Sequence, residues 1–184
     1  MRKLILIPLL LITLMARAQN SNSDVYQFTE VIKVDERLSA KTLFANAKIW
    51  FTESFKDPKE VIILDDTQNN ILIGRGSIKY NTKIWIGSAA REGYLSFDVN
   101  IACKDGRYKY NFTNFTHIGK NSMGIVPTGD EMPHFTGLNA GGGKGYKTKV
   151  TKEIKEIIDK KIEPLIESLK IAMDKKLTTQ EDNW

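Results

Sequence analysis

The sequence predicts an α+β fold: an antiparallel sheet of about five strands covered on one face by two helices, in the order β-α-β-β-β-β-α. Three observations carry that expectation. Residues from Gly93 to Ile118 alternate between apolar and polar around a tight turn, and apolar residues recur at helical spacing in one segment before this stretch and one after it. A sheet with one apolar face needs a covering layer, which the two helical segments supply.

The chain of 184 residues opens with an export signal rather than with the fold. Arg2-Lys3 is a basic n-region, Leu4 to Met15 is an apolar run interrupted by Pro8 and Thr13, and Ala16-Arg17-Ala18 is a small-x-small cleavage site. That run is shorter than the roughly 20 residues a membrane span needs, so residues 1–18 are expected to leave as a signal peptide. The mature chain is then exported, periplasmic or extracellular, and not membrane-spanning. Of 27 basic residues, Arg2, Lys3 and Arg17 go with the signal, which leaves 24 against 22 acidic, a net charge of +2. A nearly neutral domain gives no electrostatic reason to expect nucleic acid as a partner.

Residues 19–24 form a polar, disordered leader, and 25–177 a single domain. Tyr26, Phe28, Val31, Ile32 and Val34 place a first strand over about Val25 to Val34. Ser39 is an N-cap, and Leu43, Phe44, Ala47, Trp50, Phe51 and Ser54 repeat at helical spacing until Asp57-Pro58 ends the helix. Val61 to Leu64 reads as a short strand, Asp65 to Asn70 as a turn, and Ile71 to Tyr80 as a strand. Gly74 and Gly76 in that strand predict a bulge or a close approach of backbone, here under Trp50. Ile84, Trp85 and Ile86 suggest a further short strand.

The central hairpin follows. Leu95, Phe97, Val99, Ile101 and Cys103 share one face of its first strand, and Tyr94, Ser96, Asp98, Asn100 and Lys104 the other. Asp105-Gly106 is suited to a type I′ turn. Tyr108, Tyr110 and Phe112 continue the buried face. Phe115 falls an odd step later, which predicts a bulge near Thr113 or Asn114 or a switch of apolar side. Gly119 to Tyr146 is a long glycine-rich segment expected to be a mobile lid or linker. From Lys147 to Leu177 the residues Val150, Ile154, Ile157, Ile158, Ile162, Leu165, Leu169, Ala172, Met173 and Leu177 form a helical stripe. Glu156 and Lys160 are spaced as an ion pair on its polar side, and Pro164 is expected to kink or interrupt the helix. Residues 178–184 are a frayed tail.

No catalytic constellation stands out. The motifs HExxH and GxSxG are absent, and GLNAGGGKGYK fails as a phosphate loop because Leu138 and Gly145 stand where that motif needs Gly and Ser or Thr. Cys103, the one cysteine, falls on the apolar face, where a thiol acts as a small hydrophobe. His117, Asp130, Glu131 and His134 are the one group with metal-ligand chemistry, but structural zinc draws on more cysteine and histidine. His117 is expected as a hydrogen-bonded residue at a strand end. The sequons at Asn111 and Asn114 both lie in a strand. The expectation is therefore no catalytic residues, no metal and no cofactor.

Tyr26-Gln27-Phe28, Trp50-Phe51, Val61-Ile62 followed by Asp65, Gly74-Arg75-Gly76, and Asp105-Gly106-Arg107-Tyr108 running into Asn114-Phe115-Thr116-His117 resemble an exported family of Bacteroidota, a DUF4468-like domain of unknown function with a TBP-like fold. The resemblance spans about Val25 to Ile118. It implies the fold and no activity. A TBP-like sheet brings DNA bending to mind, which needs a basic sheet surface with apolar wedges. The outer face here carries Tyr94, Ser96, Asp98, Asn100, Lys109, Asn111 and Thr113, so DNA binding is rejected. Tyr94, Asp98, Asn100, Lys109 and Asn111 become the candidate face for an envelope protein or glycan. The alternative is a carrier holding a small apolar ligand between sheet and helix, near Trp50, Tyr110 and Met173.

Overall fold

The computed structural model describes residues 25–57, 61–134 and 143–175. The expected signal peptide, leader and tail, together with Pro58 and Leu177, lie outside the described residues. In chain order the elements are β1 (Phe28–Lys33), α1 (Ala40–Ser54), β2 (Ile62–Asp66), β3 (Ile71–Tyr80), α2 (Ser88–Arg91), β4 (Gly93–Lys104), β5 (Arg107–Gly119), β6 (Gly124–Ile125) and α3 (Gly143–Met173). Every strand pairing is antiparallel, in the spatial order β1-β5-β4-β3-β2, with the two-residue β6 pairing the distal end of β5. The α+β sheet with a helical layer is thus as the alternation implied. β6 and α2 are additions to it.

The inner face of the sheet is apolar along each long strand. Leu72, Leu95, Val99, Ile101, Phe112 and Phe115 are sealed from solvent, and α1 covers them with Leu43, Ala47, Trp50 and Phe51. Rings meet at near right angles where the layers join. Trp50 packs edge-on against Phe51, Phe55 and Phe112 at 5.1, 5.8 and 6.3 Å between centroids. The small residues of β3 make room for these rings. A Cβ at Gly74 would lie 2.3 Å from Phe51 Cε1, and one at Gly76 2.5 Å from Phe97 Cζ, so the close approach is beneath Phe51 and Phe97 rather than Trp50.

The long helix α3 presents Val150, Ile154, Ile158, Ile162, Leu169 and Met173 to the core, as its stripe predicts. Ile157 and Leu165 sit at the margin, and Ile166 takes the interior place. The helix runs unbroken through Pro164, whose ring faces solvent, and it starts at Gly143 rather than Lys147. Glu156 lies 3.9 Å from Lys152, one turn before it, instead of pairing with the expected Lys160 one turn after it. Asn46 of α1 is buried and donates from Nδ2 to the Lys175 carbonyl at 2.8 Å, which caps one of the free carbonyls at the end of α3. Among the described residues no helix is long and apolar enough to cross a membrane.

The hairpin turn departs from expectation. Gly106 has φ +66, but the non-glycine residues at positive φ are Asn70 and Asn114, so Asp105 keeps negative φ and the turn is not type I′. Tertiary bonds set it. Asp105 Oδ1 accepts from Ala40 N at 2.7 Å, beside the Ser39 cap that accepts from Thr42 N, and Gly106 bonds to Leu38 O and to Val34 N. The turn therefore clamps the start of α1. Gly106→Ala is expected to cost about 1–2 kcal/mol in urea unfolding, because a Cβ there would combine positive φ with a 3.2 Å contact to Glu36 Cα. The bulge appears where the odd step placed it. Ser96 pairs Thr116 while Asp98 pairs Thr113, with Asn114 in the left-handed region, so Phe115 returns to the core.

Two other segments differ from expectation. Trp85 is 87% exposed in a loop rather than on a strand. The first part of the glycine-rich segment is packed, not a lid: Met123, Val126 and Met132 are buried, and β6 adds to the sheet. Those three apolar side chains give residues 119–134 a hydrophobic reason to dock. Residues 135–142 lie outside the described residues.

Candidate binding surface

Alternation that buries one set of side chains leaves the other set on the opposite face of the sheet. Registers arrange that outer face in cross-strand rows. Lys104, Arg107 and Lys33 form the row nearest the β4–β5 turn, then come Ala102, Lys109 and Val31, then Asn100, Asn111 and Thr29. Further along stand Asp98 with Thr113, Ser96 with Thr116, and Tyr94 with Ile118. Isoleucines of β3 extend two of these rows, Ile71 beside Ala102 and Ile73 beside Asn100.

Among the five residues singled out from the sequence, Asp98, Asn100 and Asn111 form the contiguous centre of the face. Asp98 is the best ordered. Arg75 Nε and Asn114 Nδ2 each donate to its carboxylate at 2.8 Å. Burial works to raise its pKa, but these two donors outweigh burial and hold the carboxyl below its usual range. Asn111 Oδ1 is shielded from solvent with no protein partner among the described residues. Tyr94 is 51% exposed beside Ile118, which is 53% exposed. Eight residues along a strand span about 26 Å, so Tyr94 and the Ala102–Lys109 row lie at opposite ends of the face and do not form one small-molecule site.

Sequence reasoning placed Lys104 on this face but left it out of the candidate site, and it missed Lys33 and Arg107 altogether. The alternation of Lys104, Arg107 and Lys109 about the turn was a usable signal. Lys33 was not, because its place opposite Arg107 depends on a pairing of strands separated by the whole of α1, β2, β3 and β4.

His117, the buried histidine, has a structural partner on each ring nitrogen. His117 Nε2 lies 2.6 Å from the Arg91 carbonyl, and Nδ1 accepts from Met123 N at 3.1 Å, an arrangement that fixes a neutral ring protonated at Nε2. Both nitrogens are thus occupied. Among the described residues no three His, Cys, Asp or Glu side chains converge, and His134 lies against Gly124 instead. Burial, foremost, pushes the His117 pKa below the ordinary 6.5, opposed by the bond to the Arg91 carbonyl and assisted by the Arg91 charge. The unfolded chain takes up a proton at this residue as pH falls through 6.5 and the folded chain does not. Its contribution is therefore complete above pH 6.5 and lost below, at up to about 1.4 kcal/mol per pH unit until the folded ring titrates. The carboxylates of Glu30, Asp66 and Asp98, held below ordinary values of 4.5 and 3.8, act in a more acid window. Urea unfolding from about pH 7 to about pH 5 should show the decline, and His117→Gln should flatten it.

Cys103 is buried, and its thiol is pushed up to about 12 by desolvation. Alkylation by iodoacetamide is expected to be negligible in the native protein and rapid in denaturant. Modification at equal rates in both states would show that the site opens.

An antiparallel sheet with helices on one face and, among the described residues, none on the other defines a TBP-like α+β module. Residues 28–117 match the model of the family described as Domain of unknown function (DUF4468) with TBP-like fold. Two solved structures are similar. A TBP-like protein from Parabacteroides distasonis superposes with a TM-score of 0.52 at 9% identity, covering 80% of this chain and 94% of its own. A DUF4468 family protein from Bacteroides ovatus gives 0.54 at 10% identity, covering 85% and 90%. At such identities the likeness is one of fold. No curated protein matches the chain.

Proposed function

We propose that this chain is an exported, non-catalytic module of the cell envelope that binds a protein or glycan partner through the outer face of its sheet. One observation carries the reading: among the described residues both α1 and α3 pack on the inner face, while the outer face leaves Val31, Tyr94 and Ile118 each more than half exposed. An uncovered sheet face with exposed apolar side chains among polar ones is suited to partner binding. The carrier alternative draws less support. Trp50 is taken up by three phenylalanine rings and donates from Nε1 to Ser168 Oγ at 2.9 Å, Met173 is buried, and Tyr110 donates to Glu30 Oε2 at 2.8 Å.

Export is tested by the intact mass of the secreted chain, expected to begin at Gln19. Retention of residues 1–18 would remove the envelope from the proposal. For the face, a photo-crosslinking residue placed at Thr113 should capture a partner in intact cells, whereas one at Lys160 on the solvent side of α3 should not. Replacing Tyr94, Asp98 and Asn111 together by Ala should leave a folded chain and abolish the Thr113 product. An undiminished product in that variant refutes the sheet-face reading.

A further inference from the structure

The outer face is not uniform. Lys104, Arg107 and Lys33 stand directly opposite one another across β4, β5 and β1, and Lys109 follows in the next row on the same face. Like charges in direct cross-strand pairs repel and weaken a sheet. Some other cations of the chain are paired, among them Arg75 with Asp98, Lys48 with Asp65, Lys170 with Glu30 and Arg37 with Asp35. Lys33, Lys104, Arg107 and Lys109 make no ion pair or side-chain hydrogen bond among the described residues. Of the carboxylates at the turn, Asp105 accepts from Ala40 N and Glu36 lies beside Gly106, and neither forms an ion pair with these cations among the described residues. Against the same row is a depression of about 330 Å³ lined by Val31, Ala102 and Tyr108 together with Lys104, Arg107 and Lys109. Val31, in that lining, is 58% exposed.

We infer that this corner is the docking site for an acidic peptide segment of a partner protein, with an aliphatic side chain in the depression and carboxylates against Lys33, Lys104, Arg107 and Lys109. The inference rests on the sheet-face reading and assigns its ligand chemistry. An unpaired cationic row raises the energy of the free protein and is relieved by an anionic partner, which also gains on-rate from the field. The aliphatic floor selects a peptide. An anionic polysaccharide or a nucleic-acid backbone brings negative charge but no aliphatic side chain to fill the depression.

The test is an NMR titration of the purified protein with a ten-residue peptide alternating Glu and Val. The expected result is perturbation of the backbone amides of Val31, Ala102, Arg107 and Lys109, with affinity falling as salt is raised. Arg107→Glu places a carboxylate between Lys33 and Lys104, so it should raise the unfolding midpoint while weakening the peptide about tenfold or more. A misfolded variant is therefore not the expected cause of lost binding. Perturbation elsewhere, undiminished affinity in Arg107→Glu, or tighter binding of a Lys–Val peptide, an oligogalacturonate or a short DNA duplex would each overturn the assignment. Failure of the peptide with the Thr113 crosslink still sensitive to the triple Ala variant discards this corner alone. Insensitivity of that crosslink discards the wider face as well.

Discussion

Gly93→Ala is expected to destabilise the protein by about 3 kcal/mol or more. A Cβ at Gly93 would lie 2.1 Å from the Ile118 carbonyl oxygen and 2.9 Å from Gly119 Cα. Both are backbone atoms of the central β4–β5 ladder, where Gly93 pairs with Gly119, so neither moves aside without loss of strand pairing. The constraint is contact, since Gly93 is not among the residues at positive φ. Its cause lies next door. The His117 ring, bonded to the Arg91 carbonyl, draws residues 91–93 against the end of β5, and a Cβ at Gly119 would itself meet His117 Cε1 at 2.8 Å. Urea denaturation should show a lower midpoint at unchanged slope. Gly145→Ala makes the contrast. It is exposed on α3 with nothing within 4 Å of a Cβ, and should gain up to about 1 kcal/mol from helix propensity. Equal effects of the two substitutions would refute the contact argument.

Arg91→Met should cost about 3 kcal/mol, although arginine is ordinarily a surface residue. Arg91 is fully buried. One terminal nitrogen donates to Ile86 O at 2.6 Å and to the Tyr146 hydroxyl, and the other to Ile84 O at 2.8 Å and Thr82 Oγ1 at 3.2 Å. Its guanidinium also faces the Tyr146 ring at 5.4 Å. Among the described residues no carboxylate touches it directly. Compensation arrives through Thr82, whose hydroxyl donates to Glu153 Oε2 at 2.7 Å, while the same carboxylate accepts from Tyr80 Oη and Lys83 N. Arg91 thus ties the loop before α2 to the first turns of α3. Truncation leaves the Ile84 carbonyl without its donor and the Ile86 carbonyl with the Tyr146 hydroxyl alone, and Arg91→Lys recovers little because one ammonium cannot span acceptors held by a planar fork. Hydrogen exchange should localise the damage to residues 82–91 and to α3 near Tyr146. An unaltered unfolding midpoint in Arg91→Met would show that the loop holds itself.

Much of the fold was legible because its signals are local. Strand alternation identified Leu95 to Cys103 and Tyr108 to Phe112 as the inner face, the odd step to Phe115 located the bulge, and helical spacing from Val150 to Met173 marked the face of α3. The turn type was misjudged because Asp105 serves the helix cap of a distant segment, a demand that dipeptide preference does not contain. The glycine-rich segment was misjudged through its composition. Three well-spaced apolar residues, Met123, Val126 and Met132, outweigh the glycines and dock residues 119–134.

The candidate surface divides in the same way. Tyr94, Asp98, Asn100, Lys109 and Asn111 follow from period two, since residues opposite a buried set must share the other face. Sequence by itself determined the layers, the face each residue of the first hairpin strand occupies and the match of residues 28–117 to the family model. The tertiary structure alone decided that Lys33 faces Arg107, that Arg91 and His117 are buried hubs, and that Asn46 caps α3. Periodicity is a property of neighbours in the chain. The energy of a buried or repelled polar group is set by partners tens of residues away, so only the folded register reveals it.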